Sequence, residues 1–265
     1  MDVQFKNTSS FHYLFGVSWV TLHGQELLLT TWANRWQNET ELTLCSYEKA
    51  TCSSLYTHSY NYSQWASPVD YADIVHSDSA IFFLLPEPME DNAWQHIAKM
   101  EISADLTFKS ISFLPSGEYD VRHILAYRPD EDIVIYDAQA PNSWNRHVYG
   151  TPAAEDSALE EERCLTCVSA NCTFQRMASV SRGSDLKIAY ECSGPNPPHH
   201  AIMSFNATLY QQDTKIIAKL MDLNVTEWTT ETFLLPSGYE AIVRIYHGDP
   251  RLDSVPVTLN VFVSP

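Results

Sequence analysis

Leu27-Leu28-Leu29-Thr30-Thr31-Trp32 is a short, largely apolar segment of the kind that forms a buried β-strand. Similar segments follow it at Ile81-Phe82-Phe83-Leu84-Leu85, Ile133-Val134-Ile135-Tyr136-Asp137 and Lys187-Ile188-Ala189-Tyr190-Glu191. The steps from Leu28 to Phe82, then to Val134 and then to Ile188 are 54, 52 and 54 residues. A regular step of this length, with several short strands in each copy, is typical of β-propeller blades. We therefore predict an all-β fold, a β-propeller fragment of about four blades.

Each copy of the repeat has the same neighbours along the chain. A polar turn precedes each of the four strands, at residues 23–25, 77–79, 128–132 and 181–185. A further predicted strand follows each of them, at residues 42–45, 96–100, 146–149 and 202–205. We predict that the blades occupy residues 10–225, and that residues 226–265 form a different structure because the repeat stops before them.

The charge balance excludes two classes of partner. The chain has 16 Lys and Arg against 33 Asp and Glu, for a formal net charge of -17. Nucleic acids and anionic membrane surfaces both require clustered basic residues, so we predict neither as a partner. The acidic residues are scattered, which fits solubility better than a cationic partner. No apolar run reaches the roughly 18 residues that a membrane-spanning helix needs.

Six sequons and six cysteines indicate the secretory pathway. The predicted glycosylation sites are Asn7, Asn38, Asn61, Asn171, Asn206 and Asn224. The N-terminus lacks the basic and apolar segments of a signal peptide. We therefore expect an extracellular or plasma-membrane ectodomain, present as a fragment or as an isoform without its targeting segment.

The cysteines fall into two groups, Cys45 with Cys52, and Cys164, Cys167, Cys172 and Cys192. Four thiolates in the second group could surround a zinc ion. Against a zinc site, the second pair lacks the close spacing of paired zinc knuckles, and Cys172 lies inside a sequon. Disulfides are therefore favoured, and we predict neither a metal nor a cofactor.

The cysteine-rich region resembles a known family. Its segments are Arg163-Cys164-Leu165-Thr166-Cys167, Asn171-Cys172-Thr173-Phe174 and Ala189-Tyr190-Glu191-Cys192-Ser193-Gly194-Pro195-Asn196-Pro197-Pro198. They resemble the last propeller blades of the dipeptidyl peptidase IV family, serine peptidases of the prolyl oligopeptidase clan. Supporting matches are Asn34-Arg35-Trp36-Gln37-Asn38, Gln95-His96-Ile97 and Arg146-His147-Val148-Tyr149, and the resemblance runs with gaps over residues 15–265.

The resemblance implies a disulfide pairing and an architecture. It pairs Cys45 with Cys52, Cys164 with Cys167 and Cys172 with Cys192. The relatives have an eight-bladed propeller that caps an α/β-hydrolase domain, so this chain corresponds to the later blades. The implied partners are the remainder of the propeller and the hydrolase domain, with a homodimer or a membrane-protein partner in the full-length form.

The tail contains two predicted strands, at residues 241–246 and 257–263, with a short helix or a blade edge predicted at residues 214–223. By resemblance, residues 226–265 are the first strands of the α/β-hydrolase domain, in a truncated form. Asn260-Val261-Phe262-Val263-Ser264-Pro265 is similar to the family segment "DVYAGP", whose tyrosine helps to hold the oxyanion. Phe262 occupies the tyrosine position and has no hydroxyl to donate, a loss that typically costs ~10²–10³ in rate.

No catalytic residues are predicted. A serine peptidase of this clan needs a G-x-S-x-G turn, and the chain contains none. Residues 160–162, three glutamates, are interpreted as a solvated loop rather than as a substrate clamp. His199 and His200 point to opposite faces of a strand, so they are not predicted to share a metal. No arginine lies near Trp65-Ala66-Ser67-Pro68, where active relatives place one close to the substrate.

These observations favour the non-catalytic propeller portion of a dipeptidyl peptidase IV-like serine exopeptidase. Full-length relatives remove Xaa-Pro or Xaa-Ala dipeptides from peptide N-termini, but we expect this chain by itself not to be an enzyme. The alternative is an inactive dipeptidyl-peptidase-like glycoprotein that acts as a receptor or as a channel-associated interaction module. A third hypothesis is a free-standing glycoprotein of four blades.

Overall fold

The structure is a computed structural model. It describes residues 11–60, 64–88, 93–115, 117–154, 157, 159, 161–167, 172–183, 185–195, 198–204, 207–211, 215, 219, 227–236, 240–247 and 258–263. Among these residues, no helix has the length and apolar character needed to cross a membrane.

The first two sheets each contain four strands in sequence order, with antiparallel neighbours. The strands of the first sheet are β1 Phe11–Leu22, β2 Gln25–Asn34, β3 Glu39–Ser46 and β4 Thr51–Ser59. The strands of the second are β5 Val75–His76, β6 Ala80–Pro88, β7 Ala93–Ile102 and β8 Phe108–Leu114. A 3-10 turn at Pro68–Tyr71 lies between the two sheets in the sequence.

The third and fourth sheets repeat the four-stranded plan, in the orders β12-β11-β10-β9 and β13-β14-β15-β16. The strands of the third sheet are β9 Val121–Arg128, β10 Ile133–Ala138, β11 His147–Pro152 and β12 Arg163–Cys164. The strands of the fourth are β13 Cys172–Val180, β14 Lys187–Pro195, β15 His199–Ser204 and β16 Ala207–Gln211. The repeated strands predicted from the sequence lie in β2, β6, β10 and β14, so the all-β fold with blade-like sheets is confirmed.

The C-terminal strands form a fifth, three-stranded antiparallel sheet in the order β17-β18-β19. Its strands are β17 Glu227–Leu234, β18 Glu240–His247 and β19 Thr258–Val263. The last two are the strands predicted for the tail, whereas β17 was not predicted. Of the segment predicted as a helix or a blade edge, residues 214, 216–218 and 220–223 lie outside the described residues. The boundary at residues 225 and 226 stays a prediction.

The chain divides into two compact units. The first comprises Met1–Tyr136 and Gly150–Arg163, and the second comprises Asp137–Tyr149 and Cys164–Pro265. Within the first unit, Ile81, Phe83 and Leu85 of β6 are completely buried, as expected for the apolar run at residues 81–85. Burying one such side chain contributes about 1.5–3 kcal/mol.

A tight turn links β1 to β2 and contacts the next repeat. Its two residues, His23 and Gly24, have φ angles of 49° and 71°, the left-handed geometry that two-residue hairpins need. The backbone N–H of His23 donates to the Asp78 carbonyl oxygen at 2.7 Å, and that of Gly24 donates to Asp78 Oδ1 at 3.0 Å. Asp78 belongs to the polar turn predicted for the second repeat, so the equivalent turns of two successive repeats are joined.

Candidate functional site

All six cysteines form disulfides, with the partners that the family resemblance implies. Cys45 and Cys52 are directly opposite each other on β3 and β4, and Cys172 links β13 to Cys192 of β14. Cys164 and Cys167 close a short turn. Because no cysteine is free, the alternative of four thiolates around zinc does not occur in this structure.

The turn from Cys164 to Cys167 is attached to β11 by bonds other than its disulfide. The backbone N–H of Leu165 donates to the Val148 carbonyl oxygen at 2.8 Å. The Thr166 hydroxyl accepts from the backbone N–H of Val148 at 3.0 Å and donates to Gln175 Oε1 at 2.7 Å. Leu165 and Thr166 are buried, so the middle of the turn is anchored in the second unit.

His147, the first residue of β11, lies beside this turn. One of its ring nitrogens and the Sγ atoms of Cys164 and Cys167 all lie within 4.8 Å of one another. His147 is 4% exposed, and its Nδ1 atom is buried without a hydrogen-bond partner. Burial lowers the pKa of His147 to about 4 because the charged imidazolium is poorly solvated there. The imidazole is therefore neutral at physiological pH and retains a lone pair.

The chemistry of this cluster comes from its residue types. A disulfide can be reduced, and the thiolates that result bind soft or borderline cations. A neutral histidine is a frequent ligand of the same ions. Sequence reasoning missed the combination, although C-x2-C is half of a zinc-knuckle pattern, because His147 lies 17 residues before Cys164 on another strand.

A second polar cluster, in the first unit, involves Glu162. Its Oε1 atom accepts hydrogen bonds from the Tyr119 hydroxyl at 2.9 Å and from the Tyr136 hydroxyl at 2.5 Å. Tyr136 is completely buried, and burial raises its pKa well above the ordinary value. The interpretation of residues 160–162 as a solvated loop is therefore wrong for Glu162, whose carboxylate satisfies two tyrosines. It fits Glu161, which is exposed.

Of the predicted glycosylation sites, only Asn38 belongs to the described residues. Asn38 is exposed in the turn between β2 and β3, and its Oδ1 accepts from Asn34 Nδ2 at 2.7 Å. Thr40, the hydroxyl residue of the same sequon, is completely buried. A glycan at Asn38 would therefore have to be added before this region folds. Asn7, Asn61, Asn171, Asn206 and Asn224 lie outside the described residues.

The other residues singled out in the sequence lie far apart along the chain. Phe262 lies in β19, where its backbone pairs with Ile242 of β18. His199 is buried and His200 is exposed, so the predicted opposite orientation is confirmed. Trp65 is 70% exposed.

The repeated four-stranded sheets and the disulfide-linked cysteine-rich segment are those of a β-propeller region. The family model of the "Dipeptidyl peptidase IV (DPP IV) N-terminal region" matches residues 1–199. The chain belongs to this family. The resemblance found in the sequence is therefore confirmed, and the chain belongs to the N-terminal propeller region of a dipeptidyl-peptidase-like protein.

Two relatives show how much of a full-length protein the chain spans. Dipeptidyl peptidase family member 1 of Caenorhabditis elegans is 30% identical over 283 residues, which cover 100% of this chain and 34% of that protein. Inactive dipeptidyl peptidase 10 of Mus musculus is 25% identical over 191 residues, which cover 71% of this chain and 23% of that protein. The chain thus spans about a third of the first relative.

A solved structure supports the fold. The crystal structure of Porphyromonas gingivalis dipeptidyl peptidase 4 matches with a TM-score of 0.60 at 11% sequence identity. The match covers 84% of this chain and 29% of that one. At this identity the likeness concerns the fold and not the activity.

Proposed function

We propose that this chain is a non-catalytic propeller portion of a dipeptidyl peptidase IV-like serine exopeptidase. The observation that carries the proposal is the family match over residues 1–199, on a chain whose four-stranded sheets follow one another at the spacing of propeller blades. In the full-length relatives such a propeller caps the hydrolase domain. We infer that the partners of this chain are further blades and that domain.

The residues support a scaffold role better than a chemical one. The sequence contains no G-x-S-x-G turn, and Phe262 stands at the position of the tyrosine that assists the oxyanion. The three disulfides and the predicted sequons favour an extracellular or plasma-membrane ectodomain. Disulfides typically stabilise such domains by about 2–4 kcal/mol each.

Hydrolysis of dipeptide reporters tests this proposal. The purified chain should release no more chromophore from Xaa-Pro and Xaa-Ala reporters than a matched purification from cells without the gene. A full-length active member of the family serves as the positive control. Release that grows with the concentration of this chain and survives further purification would contradict a non-catalytic role.

The second candidate is an inactive dipeptidyl-peptidase-like glycoprotein that acts as a receptor or as a channel-associated module, with a homodimer or a membrane protein as its partner. Phe262 and the similarity to an inactive dipeptidyl peptidase 10 support it. The coding sequence downstream of this chain distinguishes the two candidates. A G-x-S-x-G turn followed by Asp and His favours the peptidase, whereas a substituted serine favours the inactive glycoprotein.

A further inference from the structure

The second compact unit brings three side chains with metal-ligating atoms together. A ring nitrogen of His147, Cys164 Sγ and Cys167 Sγ lie within 4.8 Å of one another, with the two sulfurs joined in the oxidised chain. We propose that reduction of the Cys164–Cys167 disulfide converts this cluster into a three-ligand binding site for a thiolate-seeking divalent cation such as Zn²⁺.

The step is a thiol–disulfide exchange followed by metal binding. A dithiol supplies two electrons and two protons. The bond between Cys164 Sγ and Cys167 Sγ breaks, a new S–S bond forms in the oxidised dithiol, and each cysteine gains a proton. The cation then displaces both protons to solvent, so that two thiolates and one neutral imidazole bind it. Its two positive charges are balanced by the two thiolates.

The two sulfurs should stay close together after their bond is broken. The turn is held by the Leu165 N–H bond to Val148 and by the bonds of the Thr166 hydroxyl to Val148 and Gln175. None of these bonds involves a sulfur atom. The backbone N–H of Cys167 also donates to Cys164 Sγ at 3.1 Å. This bond would strengthen once Cys164 carries a thiolate charge.

His147 supplies the second, independent observation. Its Nδ1 atom has no hydrogen-bond partner although the residue is 4% exposed. A buried polar atom without a partner typically costs about 1–3 kcal/mol, and such atoms are few in folded proteins. Packing alone explains poorly why the His147 ring lies beside two sulfurs and has a nitrogen without a hydrogen-bond partner. A metal-ligand role explains it, because a ligand nitrogen must be free to bind.

The ligand set fits zinc by number and by type. The C-x2-C spacing is one half of a structural zinc site, and histidine is a frequent further ligand in such sites. Three protein ligands leave the fourth tetrahedral position to water or to a ligand from a partner. Zn–S and Zn–N bonds of about 2.3 Å and 2.0–2.1 Å place tetrahedral ligand atoms about 3.5–4 Å apart. The two sulfurs would therefore have to separate after reduction, whereas the ring nitrogen of His147 already lies within 4.8 Å of both.

The Cys164–Cys167 disulfide is the one that a dithiol reaches most easily, because its sulfurs belong to the most exposed cysteine pair. Cys167 is exposed and Cys164 is half-buried. By contrast, Cys172 and Cys192 are both completely buried. An exposed disulfide is more readily reduced than a buried structural one. Mild reduction should therefore open the Cys164–Cys167 bond while the Cys172–Cys192 bond keeps β13 joined to β14.

The test uses the whole chain, with Zn²⁺ alone as the probe. The chain is treated with a low concentration of dithiothreitol and desalted without oxygen, and its free thiols are mapped by alkylation and mass spectrometry. Zinc affinity is measured by competition with a chromogenic chelator, and Co²⁺ is added separately to detect thiolate-to-metal charge transfer. We expect alkylation at Cys164 and Cys167, about one equivalent of zinc in the reduced chain, and none in the oxidised chain.

Variants assign the ligands. The double variant Cys164→Ser/Cys167→Ser should remain folded and bind no zinc under reducing conditions. His147→Gln should weaken zinc binding at least about 10-fold, since even outer-shell partners of a zinc site contribute that much. Two matched controls should leave zinc binding unchanged: His200→Gln, which alters an exposed histidine in the same unit, and Cys45→Ser/Cys52→Ser, which removes another disulfide.

Four results would overturn the proposal. They are equal zinc binding by the oxidised and reduced chains, unchanged affinity in His147→Gln, alkylation of Cys172 or Cys192 before Cys164, and loss of the strand signal in circular dichroism on mild reduction. The last result counts against the proposal because it would mean that the backbone bonds do not hold the turn by themselves.

Discussion

Replacing Tyr71 with Phe removes one hydroxyl from the core of the first unit. Tyr71 is 1% exposed. Its hydroxyl lies 2.7 Å from the hydroxyl of Thr40 and 2.8 Å from that of Tyr60. Both partners are buried, at 0% and 7% exposure. Burial also raises the pKa of Tyr71 far above its ordinary value, so the group is a neutral hydroxyl at every pH at which the chain is studied.

The expected loss of stability in Tyr71→Phe follows from the two hydroxyls that the Tyr71 hydroxyl contacts. The Phe ring fills the same space, so no cavity forms, but the buried Thr40 and Tyr60 hydroxyls each lose their hydrogen bond to the Tyr71 hydroxyl. A buried hydroxyl without a partner costs about 1–3 kcal/mol. We therefore expect Tyr71→Phe to lower the free energy of unfolding by about 3 kcal/mol. Thr40→Val removes one of the two hydroxyls that lose their bond to Tyr71, so the double variant should be about 1 kcal/mol more stable than additivity predicts.

Urea denaturation of the unglycosylated chain, followed by fluorescence and circular dichroism, measures the stability loss in Tyr71→Phe and the deviation from additivity in the double variant. The unglycosylated chain is needed because Thr40→Val also destroys the Asn38 sequon. The midpoint should fall with little change in the slope of the transition. Tyr47→Phe is the matched control, since Tyr47 is 70% exposed and its change should stay within about 0.5 kcal/mol. The reasoning would be refuted if Tyr71→Phe were as mild as this control.

Three further perturbations have distinct expected outcomes. Asn38→Gln should remove one glycan from chain secreted by eukaryotic cells, seen as a mass decrease by mass spectrometry; an unchanged mass contradicts glycosylation at this exposed turn. Cys172→Ser/Cys192→Ser should lower the free energy of unfolding by about 3 kcal/mol in urea titrations, and no loss would contradict a structural role. The pKa of His147 is about 4 in the folded chain, against 6.5 for the free group. The neutral ring should therefore contribute about 3 kcal/mol to the stability of the chain above about pH 6.5, and this contribution should be lost as the pH falls towards 4. The urea midpoint should vary less with pH in His147→Gln than in the unaltered chain. An equal pH dependence in the two chains would contradict the role assigned to His147.

Much of the fold could be predicted because each copy of the repeat can be recognised from its own consecutive residues. An apolar run such as residues 81–85 can be recognised without knowledge of its partners, since a strand without polar positions must be buried. The turn at His23 and Gly24 is similarly local, because a two-residue hairpin turn needs residues that tolerate positive φ. β17 escaped prediction because Glu227–Leu234 contains four consecutive polar residues, 229–232, in place of the apolar run or alternation typical of a strand, and because it belongs to no repeat.

The polar clusters could not be predicted by the same reasoning. Glu162 lies 26 residues from Tyr136 and 43 from Tyr119, and nothing in the residues around it distinguishes it from the exposed Glu161. The cysteine pairing was available only through the family resemblance, since spacing alone left a zinc site open.

The order of the strands, the class of the fold and the family are therefore properties of the sequence itself, because hydrophobic runs and turn residues act on their immediate neighbours. The position of His147 beside Cys164 and Cys167, and the hydrogen bonds of Glu162 to two tyrosines, are properties of the folded chain. They depend on which strands become neighbours, and the free energy that brings distant strands together comes from the burial of the whole core rather than from the polar residues that meet as a result.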